Sequence, residues 1–185
     1  LSKLSLKSKL NLIVAVGILL LVVVILFTVK EIVTSRILMY KVKKDLDITA
    51  KILDDKFPGN WKMYDDGLYK GPDKIENDSE IIKYIPKLTG GSVTIFAGQQ
   101  QAAASNSDQQ QAKLSSKVVN TVLKQGNNYY EKSPTQANKY LAYTPIKNHN
   151  QEIVGVWRVG VSEGLVAEVV NKIFFWVVII ALVMV

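Results

Sequence analysis

Few side chains in this 185-residue chain can do chemistry, and their spacing limits what that chemistry can be. His149 is the one histidine, set in the polar run Asn148-His149-Asn150-Gln151. A general base needs an orienting partner and a substrate proton within reach. Nothing beside His149 supplies either, so a solvated turn residue is expected. Paired carboxylates occur at Asp54-Asp55 and Asp65-Asp66. The first pair reads as helix surface near a helix end. The second precedes Gly67 and reads as turn chemistry. There is no cysteine, no Cys/His metal cluster and no Gly-rich phosphate loop opening a helix. These absences argue against an enzyme, a metal centre and a bound cofactor. The formal net charge is +7, but the lysines are dispersed among acidic residues, and Arg36 and Arg158 are the two arginines. That distribution fits a solvated surface near anionic lipid better than a nucleic-acid interface.

The segments that would position these residues begin with a membrane signal. Residues 10–29 read LNLIVAVGILLLVVVILFTV, without a charge. A run of that length spans a bilayer as a helix of about 30 Å. It is long for a secretory signal peptide, and no small-residue cleavage site follows. A second apolar run begins at Ile173 and is read as a second span, cut short at Val185. Lys3, Lys7 and Lys9 precede the first span. Basic flanks stay in the cytoplasm, so residues 1–9 are expected inside and residues 30–172 outside, in a two-pass arrangement.

Residues 30–57 hold no Gly or Pro and keep helical spacing, ended by Pro58-Gly59. Ile32, Met39, Leu46 and Leu53 recur every seven residues with Val42 between them, while Leu38, Ile48 and Ile52 form a second stripe. The heptad predicts a homodimer through residues 31–57; the alternative is one broad buried face. Trp61 to Tyr69 reads as a hairpin around Asp65-Asp66-Gly67. Asn77 and Glu80 stand in capping-box spacing before a short helix that holds Pro86 and stops at Gly90-Gly91. SVTIFAG is a strand. SSKVVNTVLKQG is an amphipathic helix with Val118, Val119, Val122 and Leu123 inward. KYLAYTPIK and EIVGVWRVGV flank the polar turn, and residues 162–172 lead back to the membrane as a helix. This order predicts an α+β unit on one antiparallel sheet.

At YIPKLTGGSVTIF, SSKVVNTVLKQGNNYY and KYLAYTPIKNHNQEIVGVWRVGV the chain resembles the single Cache sensor domains of bacterial chemoreceptors and sensor kinases. The resemblance implies a PAS-like fold over residues 58–161, in which a long N-terminal helix packs on a central antiparallel sheet between two transmembrane helices. It implies a small-molecule ligand, often a short carboxylate, and a chemoreceptor output. A histidine kinase, a cyclic-dinucleotide enzyme or a ligand-free interaction module are the alternatives. The ligand contacts it implies are Trp61, Tyr64, Phe96, Gln101, Tyr130, Tyr143 and Arg158. Three departures stand out. An Asp-Thr-Arg-like segment is replaced by Gln99-Gln100-Gln101 at the head of a Gln/Ala/Ser tract, which reads as a loop without a ligand role unless Gln101 donates a neutral hydrogen bond. Tyr140 and Tyr143 are three apart rather than four, so in a regular strand they face opposite sides. Arg158 stands at an apolar position, either as a relocated carboxylate partner or as an edge residue whose head reaches water.

Overall fold

The computed structural model describes residues 5–105, 112–136 and 139–183. The chain divides into two compact units, one of Leu1–Ile37 with Val166–Val185 and one of Leu38–Leu165. In the first, helix α1 begins at Leu6 and carries exposed apolar side chains such as Leu20 and Val24. Among the described residues α1 is the one helix long and apolar enough to cross a membrane. The second span expected from Ile173 is not shown, because its last residues lie outside the described ones. Helix α4 (Gly164–Val183) instead runs unbroken through both stretches that were read separately. Phe27 and Phe174 meet edge to face at 5.9 Å in this unit.

Helix α1 continues to Lys56, as the absence of Gly and Pro predicts. In the second unit its buried face is Leu38, Val42, Leu46, Thr49 and Leu53. The expected heptad seam is therefore corrected. Leu46 and Leu53 are spent inside their own domain, and the face mixes the two stripes because it follows four-residue steps. Tyr40 and Ile48 stay exposed, at 65% and 47%.

The domain holds two antiparallel sheets, not the one expected. The hairpin β1 (Trp61–Tyr64) and β2 (Gly67–Lys70) pairs as the turn predicts, and β3 (Asp73–Lys74) completes a separate three-stranded sheet. Asp66 does more than turn the chain. It accepts from the Tyr69 hydroxyl at 2.7 Å and pairs with Lys74 at 3.2 Å. The Tyr69 bond, then Lys74, holds its carboxyl below the usual range. Asp54 likewise pairs with the buried ammonium of Lys70 at 2.9 Å, joining α1 to β2.

Helix α2 (Glu80–Thr89) absorbs Pro86 and ends on left-handed Gly90, whose N–H reaches the Pro86 carbonyl at 2.8 Å. Its N-cap is Ser79, so the expected capping box is wrong. Asn77 accepts from Ala104 N at 2.9 Å and so pins a strand instead. Strands β4 (Ser92–Ala97), β5 (Gln100–Ala104), β6 (Tyr129–Lys132), β7 (Lys139–Lys147) and β8 (Ile153–Ser162) form the larger sheet, in the order β5-β4-β8-β7-β6. The head of the Gln/Ala tract is thus edge strand β5 rather than loop, because Ala103 and Ala104 are small enough to bury beside β4. Residues 106–111 of the tract lie outside the described residues. Helix α3 (Ser116–Val118), capped by Ser115, widens into a π-helical turn over Val119–Lys124. Val118 and Val122 are buried as expected, whereas Val119 and Leu123 are half-buried.

Strand pairing sorts the larger sheet into two faces. Trp157 belongs to one, where its indole N–H donates to Thr49 Oγ1 at 3.3 Å and fastens β8 to α1. The other carries Thr94, Phe96, Tyr143, Val156 and Arg158, covered by Val118 and Val122.

Candidate functional site

Arg158 stands on β8, the middle strand of five, and is 8% exposed. The edge reading is therefore excluded, since a middle strand has neighbours on both sides and the head cannot reach bulk water. Burial forces its donors to find partners. Arg158 Nη2 donates to Thr94 Oγ1 of β4 at 2.7 Å, and its guanidinium lies 5.2 Å from the Phe96 ring centre. Both contacts follow from register, because Thr94 pairs directly with Arg158 and Phe96 lies two residues along the same face.

Tyr143 stands opposite Arg158 on β7. Its hydroxyl donates to Glu131 Oε1 of β6 at 2.8 Å. Burial, then the Glu131 bond, pushes the phenol well above its ordinary pKa. Burial also lowers that of Arg158, with Tyr143 and Glu131 working in the opposite direction. Thr94, Arg158, Tyr143 and Glu131 thus form one polar line across four strands, in which the carboxylate answers the guanidinium through a phenol. Chemically this arrangement can hold an anion or polarise a hydrogen-bond acceptor.

Of the expected contacts, Phe96, Tyr143 and Arg158 come together, and Gln101 lies opposite Phe96 on the neighbouring strand. Gln101 Oε1 accepts from Ala112 N at 2.9 Å. With Gln99, Gln100, Ala112, Lys113 and Leu114 it lines an open groove of about 520 Å³ at the β5 edge. Three expected contacts do not join the cluster. Tyr130 alternates with Glu131 and so points to the α1 face, where the Lys43 ammonium lies 4.8 Å from its ring centre. Trp61 and Tyr64 belong to the smaller sheet, Trp61 beneath Lys70 and Tyr64 edge to face with Tyr69 at 5.1 Å. The three-residue spacing of Tyr140 and Tyr143 sends them to opposite faces, as expected, since β7 pairs regularly through both. His149 is exposed in the turn between β7 and β8.

Sequence reasoning missed Thr94, Glu131 and Lys139. The last was detectable, because two-residue steps from Tyr143 through Leu141 lead to Lys139 on the same face. Lys139 is 9% exposed, and burial, then the charge of Arg158, pulls its pKa down to about 8.

Comparison with known proteins supplies the context for this cluster. The crystal structure of the E. coli DcuS sensor domain aligns with a TM-score of 0.41 at 14% identity, covering 49% of this chain and 70% of that one. A search of curated proteins returned no match. A family profile, single Cache domain 3, matches residues 73–173, more than half of the chain. That span runs from β3 into α4, contains Thr94, Phe96, Glu131, Lys139, Tyr143 and Arg158, and leaves out Trp61 and Tyr64. The chain therefore belongs to the single Cache domain 3 family.

Proposed function

We propose that this chain is the ligand-sensing and membrane-anchoring part of a bacterial transmembrane receptor, a chemoreceptor, that responds to a small anionic solute outside the cytoplasm. The observation that carries the reading is the cation of Arg158 buried on the middle strand, beneath Phe96 and beside Tyr143. A buried cation is costly unless anions or dipoles answer it. Here the counter-charge, Glu131, reaches it through Tyr143. A short carboxylate would add a charge-assisted pairing on this face, with Arg158 as the anchor and Gln101 as a neutral donor. The Trp157–Thr49 bond ties the same strand to α1, so a shift of β8 would bias that helix between two positions. The receptor works as a homodimer through the exposed α1 face of Tyr40, Lys44 and Ile48.

Thermal-shift screening of the full chain in nanodiscs against short carboxylates and amino acids tests the reading. A carboxylate that raises the melting temperature of the wild type and not of Arg158→Met supports it. A panel without any shift turns the reading toward a ligand-free interaction module.

A further inference from the structure

Tyr143 has one hydroxyl proton to give, and that proton is already spent. Its O–H donates to Glu131 Oε1 at 2.8 Å, and its ring lies beside that of Tyr129 with centres 6.1 Å apart. Burial, then the Glu131 bond, keeps the phenol protonated. A phenol donates once, so a second carboxylate reaches this proton only by taking it from Glu131.

The two ends of the bond are held unequally. Tyr143 is 4% exposed, stands on β7 between two paired strands and faces Arg158 in register. It belongs to the core with Phe96, Leu141 and Val156, so it cannot leave without opening that core. Glu131 is half-buried on β6, a four-residue strand at the sheet edge that pairs with β7 alone among the described residues. Its carboxylate can turn out to water without breaking a strand pair, and hydration offsets the loss of the phenol. Glu131 is therefore the exchangeable partner.

We propose that Glu131 is a built-in competitor, an internal carboxylate that occupies the Tyr143 hydroxyl until the carboxylate of a small solute displaces it. The inference rests on the sensing role of the Arg158 face and adds the residue that sets its affinity. Without a ligand the Glu131–Tyr143 bond keeps the face closed at its β6 side. A neutral solute offers the phenol a weaker acceptor than an ionised carboxylate does, so it loses the exchange. A carboxylate matches Glu131 as an acceptor and releases it to water.

Calorimetric titration of the full chain in nanodiscs, with acetate and with succinate as probes, tests this. Glu131→Gln keeps the size of the side chain and removes the competing charge. Affinity for the probes should then rise about tenfold, the worth of one charge-assisted hydrogen bond. Glu131→Ala should move affinity in the same direction. Tyr143→Phe removes the proton that is competed for, so binding should weaken, and adding Glu131→Gln to it should bring no further gain. A gain that persists on the Tyr143→Phe background overturns the competitor, because Glu131 would then act by its charge alone. Unchanged or lower affinity in both Glu131 variants also overturns it. If Arg158→Met abolishes binding in that case, the sensing role of the Arg158 face stands without Glu131. If neither probe binds the wild type or Glu131→Gln, both readings fall.

Discussion

Arg158 and Lys139 show how far a single charge can be pushed when a sheet face is closed over it. Arg158 keeps its charge because Thr94 accepts from it and Tyr143 links it to Glu131. Lys139 lacks such help, and this makes stability depend on pH. Its pKa is about 8 when folded against 10.5 in the unfolded chain. The unfolded state therefore binds more protons between those values, and stability rises with pH across that window. Below about pH 8 both states are protonated and the burial penalty is felt in full. Lys139→Met should accordingly raise the melting temperature at pH 7, with a gain that shrinks as pH climbs from about 8 toward 10. Paired thermal melts over that range measure it, and a gain that does not change with pH would contradict the assignment. The importance of Arg158 was legible from its presence in an apolar strand. Its partners were not, because Thr94 and Glu131 are 64 and 27 residues away in sequence, and only strand register brings them together.

At the scale of elements, α1 is the part whose chemistry the sequence disclosed best and whose contacts it disclosed least. The absence of Gly and Pro predicted one helix, and one helix runs from Leu6 to Lys56. Which stripe would face the domain depended on the sheet it met, and Leu38, Val42, Leu46 and Leu53 met it. Cysteine at Tyr40 or Ile48 should therefore cross-link between copies in oxidised membranes, and cysteine at Leu46 should not. Cross-linking at Leu46 equal to that at Ile48 would remove the proposed interface. The bond from Trp157 to Thr49 is a buried polar tie between sheet and helix. Thr49→Val keeps the shape and strands a buried indole N–H, which costs about 1–3 kcal/mol. Chemical denaturation should show a loss of that size, and a neutral result would mean the tie is not what couples β8 to α1. The strands β5 and β6 were harder to foresee. Gln100–Ala104 carries little strand propensity and Tyr129–Lys132 is a short run with two tyrosines, and they pair because β4 and β7 offer open edges.

For the whole molecule, the proposed receptor combines a helix long and apolar enough to cross a membrane, a domain of the Cache family and a cationic sheet face. Its topology can be tested at His149, exposed in the turn between β7 and β8. His149→Cys should react with a membrane-impermeant thiol reagent in intact cells, and reaction only after lysis would reverse the orientation. The central claim, that a small anion binds through Arg158, is tested most directly by calorimetry on the full chain in nanodiscs. The titrant is the carboxylate giving the largest thermal shift, applied to the wild type and to Arg158→Met. Loss of a charge-assisted contact worth about 1.5–3 kcal/mol should weaken binding at least about tenfold in the variant. Equal affinity in the two proteins would contradict the claim, because the ligand would then sit somewhere other than the Arg158 face.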